Sequence, residues 1–268
     1  MQLAIKHDTT YRFDPPMRGV AQSLRLWPSR FDGQTTLDWN VEIDGAKRGA
    51  SFRDGAGDMI ETAVVLGPID EVVVRVSGTV ETADLAGVLK GHRERIRPAV
   101  YLRHTDFTKP DSALKDLASK AMASADTDLN RAHALCAAVQ DAIEYTPGKT
   151  DPGTTAAEAL AHGHGVCQDH AHALIAAALS AGIPARYVTG YLHAEGGIAE
   201  ASHAWAELHV ADLGWVGFDA SNGICPNEHY VRLGSGFDAV DAAPIRGVAE
   251  GAGAEAMEVD VNVVEAAQ

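Results

Sequence analysis

Gly163-His164-Gly165-Val166-Cys167-Gln168-Asp169-His170-Ala171-His172 decides how the rest of the chain is read. A glycine-rich turn runs into a cysteine. Beyond it Leu174, Ala177, Ala178 and Ala181 recur at helical spacing. Gly182 and Pro184 then stop the pattern, the glycine just past the helix end and the proline just beyond. Cys167 is therefore expected at or near a helix N-terminus. Unpaired backbone N–H groups and the positive end of the helix dipole favour an anion there. That setting eases loss of the thiol proton, and the thiolate is the nucleophilic form. The expectation is that Cys167 is a nucleophile and that the chain builds a site around it.

Downstream the pattern changes to strands. Residues 185–192 read as one strand, followed by a polar loop rich in Gly and Glu. His203-Ala204-Trp205-Ala206-Glu207-Leu208-His209-Val210 reads as a second, and Trp215-Val216-Gly217-Phe218-Asp219 returns antiparallel. Side chains alternate faces, so the turn length decides whether His203 and Asp219 can meet. A three-residue loop, Ala211 to Leu213, with Gly214 as a left-handed bulge residue, pairs Val210 with Gly214. Trp205 then opposes Asp219, with His203 two residues along on the same face. A four-residue loop puts the two on opposite faces. His209 shares the strand face of His203 and is its rival.

Cys, His and Asp on separate elements suit acyl transfer. A thiolate attacks the acyl carbon, and an imidazole pairs with it and protonates the leaving amine. A carboxylate holds the imidazole tautomer. Other residues take blander readings. Cys136 lies on an apolar stripe with Ala132, Leu135 and Val139, as a small core residue does, and Cys225 reads as a loop cysteine. Trp205 and Trp215 read as packing or pocket wall. Gln168 and Asp169 fit the first helical turn as supporting residues. His162, His164, His170 and His172 flank Cys167. Histidines two apart on a helix point to different faces, however, and no zinc-binding or EF-hand spacing is present. No metal or other cofactor is expected.

Upstream, residues 1–84 alternate as strands: Leu3, Ile5, His7 and Thr9, then Leu37, Trp39, Val41 and Ile43, then Val72, Val74 and Val76. Turn signals between them suggest a small β-sandwich. Residues 85–110 read as a linker holding Arg93, Arg95, Arg97 and Arg103, either a solvated connection or domain contact, or a clamp for a substrate carboxylate. Residues 111–268 then form the second domain. Its helices are capped by Asp111 or Ser112, run from about Asp128 to Tyr145, and start a third time at the Thr155–Glu158 capping box.

The bulk properties narrow the function. The 268 residues, 46% hydrophobic and 22% charged, suit a folded chain with a sizeable core. A net charge of −15 argues against nucleic acid and anionic membrane surfaces as partners. No signal peptide or bilayer-spanning run is read, and three widely spaced cysteines favour a reducing, cytoplasmic setting.

Four local words occur in order: Gly165-Val166-Cys167-Gln168-Asp169, Gly182-Ile183-Pro184-Ala185-Arg186-Tyr187-Val188, Ser202-His203-Ala204-Trp205 and Gly214-Trp215-Val216-Gly217-Phe218-Asp219. Together they resemble the bacterial transglutaminase-like family of the papain-like cysteine protease superfamily. Tyr11-Arg12-Phe13-Asp14-Pro15-Pro16 and Leu24-Arg25-Leu26 resemble that family's β-rich leading domain. The resemblance implies an α+β protein, a β-sandwich followed by a transglutaminase-like, papain-like core with helices packed on an antiparallel sheet. It implies a Cys-His-Asp triad at Cys167, His203 and Asp219, acting on amide bonds of a peptide or protein substrate through a thioester. Hydrolysis, amine transfer to glutamine and a silent peptide-binding scaffold remain the alternatives, with hydrolysis favoured. One oxyanion donor is expected at the Cys167 backbone N–H, with Tyr145 offered by position as the second. Where the family has Pro-Thr-Asn after the aspartate, this chain has Ala220-Ser221-Asn222, a change expected to loosen that turn.

Overall fold

The computed structural model describes residues 1–193 and 202–266. The Gly- and Glu-rich loop read between the strands of the second domain lies outside the described residues. Chain order begins with β1 (Gln2–Leu24), β2 (Gln34–Ile43), β3 (Lys47–Arg53) and β4 (Met59–Thr82). A 3-10 turn (Pro98–Leu102), α1 (Ser112–Met122), α2 (Asp128–Ala142), β5 (Glu144–Tyr145), α3 (Ala156–His162), β6 (His164–Gly165) and α4 (Cys167–Ser180) follow. The chain continues through β7 (Ala185–Leu192), β8 (Ser202–Val210), β9 (Gly214–Phe218), β10 (Tyr230–Gly236), β11 (Ile245–Glu250) and β12 (Ala254–Glu265).

β1 and β4 are 23 and 24 residues long and pair antiparallel along most of that length. Their register slips between Arg12 and Gly19, where Pro15, Pro16 and Pro68 cannot donate to the ladder. Before the slip the strand order is β12-β1-β4-β2, and after it β11-β1-β4-β3. Tyr11, Val72 and Val74 from one half share a single apolar core with Val20, Leu24 and Val65 from the other. The alternation read in the sequence is what fills that core.

β11 and β12 pair with β1, so the far end of the chain completes the first sheet. Sequence reading placed residues 245–265 with the second unit. Their alternation around Val261 and Val263 is local, whereas the strand they join lies some 240 positions away in sequence.

The second sheet has the order β10-β7-β8-β9, all antiparallel. α4 packs on β7 and β8, and α1, α2 and α3 pack around α4. Every residue of α4 from Asp169 to Ala178 is buried. Each large apolar side chain so enclosed, such as Leu174 or Ile175, contributes about 1.5–3 kcal/mol. Asp111 caps α1, Thr127 caps α2, and Thr155 with Glu158 forms the expected capping box on α3.

α2 ends at Ala142, three residues short of the Tyr145 end read from the sequence. Glu144 instead donates its N–H to the Gly163 carbonyl and Thr146 to that of Gly165, forming the parallel β5–β6 pair. Tertiary pairing thus takes the last turn away from the helix.

A buried charged cluster joins the two sheets. Arg232 donates to Glu207 at 2.8 Å and to Asp58 at 2.9 Å, and Arg186 donates to Glu207 at 2.7 Å. All four side chains are buried. Arg186 also pairs with Glu94 of the linker and lies 4.1 Å from the centre of the Trp215 ring, whose N–H donates to Glu94 at 2.6 Å. Glu94, which sequence reading passed over between its neighbouring arginines, therefore anchors the linker.

Candidate active site

Helix α4 begins at Cys167, as the glycine-rich turn predicted. Asp169 accepts from the Val166 N–H at 2.8 Å and from the Thr150 hydroxyl at 2.7 Å, which caps the first turn. Residue 165 must be glycine for this, because a Cβ there would collide with the Asp169 side chain. His170 has its two ring nitrogens 2.9 Å from the carbonyls of Val166 and Ile143, tying the helix start to the end of α2. Cys167 itself is half-buried. Its N–H is among the donors that the first turn of a helix leaves open.

The β8–β9 hairpin takes the three-residue loop. Val210 pairs with Gly214 and Ala206 with Phe218, and Gly214 has a φ of +81°. Trp205 therefore opposes Asp219, and His203 lies on the same face. His203 Nε2 is 2.7 Å from Asp219 Oδ2, and the Cys167 thiol lies near enough to the imidazole to favour its cation. His209, the rival, lies at the far end of β8 against Trp215.

The carboxylate is held from several sides. The Tyr230 hydroxyl donates to Asp219 Oδ2 at 2.8 Å, Asn222 Nδ2 donates to the same oxygen at 2.7 Å, and the Ser221 hydroxyl donates to Oδ1 at 2.6 Å. Ala220-Ser221-Asn222 thus does not loosen the turn; its two polar side chains fasten the aspartate. Sequence reading missed Tyr230, which reaches Asp219 from β10. Burial works against the Asp219 charge, but the hydrogen bond and charge of His203, then Ser221 and Asn222, hold its carboxyl well below the usual range. For His203 burial also opposes charge. Hydrogen bonds to Asp219 and Cys167, and the negative charge of both, outweigh it and push the imidazole up to about 10.

The supporting residues fall into place around this line. Trp205 is buried and stacks on His203 with ring centres 6.4 Å apart, as a pocket wall does. Gln168 donates to the Pro152 carbonyl at 3.1 Å and so braces a neighbouring loop. Tyr145 lies across the β5–β6 ladder from Gly165, with its ring exposed and tilted against His170. Cys136 is buried and its thiol is pushed up to about 12, by burial first and by nearby Asp219 next. Burial also raises Cys225. Among the described residues no three His, Cys, Asp or Glu side chains gather into a metal-ligand group. No described helix is long and apolar enough to cross a membrane. A thiol, an imidazole and a fastened carboxylate in line can form a thiolate–imidazolium pair for attack on an acyl carbon.

Comparison with known proteins bears on this geometry. The transglutaminase-like superfamily matches residues 115–220, which contain Cys167, His203 and Asp219. The bacterial transglutaminase-like N-terminal region matches residues 3–81. The chain thus carries a bacterial transglutaminase-like N-terminal region followed by a transglutaminase-like core. The chain is 28% identical to an uncharacterized protein of Mycobacterium leprae (strain TN), over 99% of each chain. It is 32% identical to an uncharacterized protein of Mycobacterium tuberculosis (strain ATCC 25618 / H37Rv), over 42% of this chain and 40% of that one. A crystal structure from Cytophaga hutchinsonii, named as that of a candidate cysteine protease, superposes with a TM-score of 0.73 at 22% identity. It covers 100% of this chain and 92% of its own, and shows the same papain-like α+β fold.

Proposed function

We propose that this chain is a cysteine enzyme that cleaves amide bonds of a peptide or protein through a thioester on Cys167. The observation that carries the reading is the His203–Asp219 pair at 2.7 Å, with Cys167 at the start of α4 beside the imidazole. The Cys167 thiolate attacks the acyl carbon, and the amide C–N bond breaks as His203 gives its proton to the leaving amine. Water, deprotonated by the now neutral His203, then attacks the thioester and frees the acid and the thiol. Asp219 keeps the imidazole oriented and favours its cation. The Cys167 N–H serves the oxyanion, with Tyr145 the second donor by position. The chain needs no cofactor for these steps, and three unpaired cysteines support a reducing, cytoplasmic setting.

Incubation with a glutamine-containing peptide library tests the reaction. Cleavage with release of new termini is the expected result. Incorporation of a labelled primary amine, without cleavage, would make the chain a protein-glutamine acyltransferase instead. Binding with neither reaction would make it a silent peptide-binding module.

Asp219→Asn tests the role of the carboxylate. The wild-type rate is expected to hold from neutral pH and fall as pH rises through about 10, where His203 loses its proton. Removing the carboxylate withdraws both the hydrogen bond and the charge that favour the cation. The falling limb then moves to lower pH, and kcat/KM drops by about 10²- to 10⁴-fold. Identical pH profiles for the two proteins would refute the role given to Asp219.

A further inference from the structure

Three loops from distant parts of the sequence close a second cleft at the junction of the β unit and the linker. It encloses about 500 Å³ and is lined by Arg30, Phe31, Asp32, Arg53, Gly57, Gly91, His92 and Arg93. That size suits a small-molecule ligand. Three of the lining side chains are guanidinium groups and one is a carboxylate, on a chain whose net charge is −15. Cations gathered where the molecule as a whole is anionic call for a local reason.

The cleft is built rather than incidental. Gly57 has a φ of +86°, and a Cβ there would collide with the Arg93 carbonyl and crowd the His92 ring. Gly91 has a φ of +80°, and a Cβ there would collide with the Asp32 carboxylate. Both glycines therefore let the loops approach more closely than any other residue allows. His92 fixes the approach, with one ring nitrogen 2.7 Å from the Ala56 carbonyl and the other 3.2 Å from that of Arg30. Arg53 donates to the Gly57 carbonyl at 2.7 Å, which aims its guanidinium along the cleft wall.

Of the nearby acids, Asp32 lines the cleft itself, while Asp58 and Asp54 have other partners. Asp58 takes Arg232 and Ser235, and Asp54 takes Arg25 and the Asp58 N–H. Among the described residues no ion pair within 4 Å joins Arg30, Arg53 or Arg93 to a carboxylate. The Arg53 guanidinium is pushed below the usual arginine range, by burial first and then by the charge of Arg30.

We propose that this cleft binds a small oxyanion, the phosphate or carboxylate group of a ligand, between Arg30, Arg53 and Arg93. Guanidinium groups offer paired N–H donors that match either anion. Phe31 lines both this cleft and the smaller cavity walled by Trp205 and Tyr230, so the ligand sits one side chain away from the packing around His203.

Calorimetric titration of the full chain tests the proposal, with inorganic phosphate in one arm and triglycine against triglycine amide in the other. Wild-type protein is expected to bind phosphate, or the tripeptide acid but not its amide. Binding of phosphate identifies the phosphate source, and discrimination of acid from amide the carboxylate source. Arg53→Gln, and separately the pair Arg30→Gln with Arg93→Gln, should each weaken that binding by about tenfold or more. Arg95→Gln, outside the cleft, should leave it unchanged. The two sets of variants guard against loss of fold, which circular dichroism checks. No binding by the wild type, or equal affinity in wild type and folded cleft variants, would overturn the assignment.

Discussion

Replacing Cys167 by alanine is expected to lower amide cleavage by about 10⁴-fold or more while leaving the fold intact. In the proposed mechanism the Cys167 sulfur forms the bond to the acyl carbon, and no other described thiol can take its place. Cys136 is buried in the helical core with its thiol pushed up to about 12, and Cys225 lies on another loop with its thiol raised. The substitution removes one half-buried atom, so stability should change by no more than about 1 kcal/mol. Iodoacetamide at mildly acidic pH should label the wild type at Cys167 ahead of the other two cysteines, and the variant hardly at all. Cleavage that survives in Cys167→Ala would end the thioester mechanism.

The second large effect concerns stability. Arg232→Ala is expected to cost about 3–5 kcal/mol, because it leaves Glu207 and Asp58 as buried carboxylates short of a partner. The Arg232 charge, with that of Arg186, outweighs burial in holding the Glu207 carboxyl below its usual range. For a chain of this size such a loss lowers the midpoint of thermal unfolding by roughly 10 °C. Chemical denaturation of Arg12→Ala provides the control. Arg12 forms two ion pairs, but each is exposed, and no measurable change is expected. Equal midpoints for wild type and Arg232→Ala would show that the cluster does not hold the two sheets together.

Legibility in the sequence followed the range of the forces involved. The start of α4, the Thr155–Glu158 capping box and the β8–β9 register are set by residues a few positions apart, and each was readable. The register put His203 on the same face as Asp219 because the three-residue loop, one of the two the sequence allows, pairs Val210 with Gly214. The fastening of Asp219 was only partly readable. Ser221 and Asn222 stand in plain view but their pattern suggests a looser turn, while Tyr230 arrives from a strand whose place beside β7 no local pattern encodes. Glu94 was hidden for the same reason, since its partners Arg186 and Trp215 lie 92 and 121 residues away. The over-long reading of α2 shows the converse, a good local pattern cut short by distant backbone partners.

The return of β11 and β12 to β1 sets an order of assembly. As the chain leaves the ribosome, β1 to β4 emerge first, yet one edge of β1 stays bare until residues 245–265 have been made. The whole helical unit must therefore be synthesised while that edge waits, exposed to pairing with other chains. Cutting the gene at the boundary between the two matched regions would make this interval permanent. The isolated leading segment would be a strand short on both halves of its sheet, and it should be recovered as aggregate unless the closing strands are supplied.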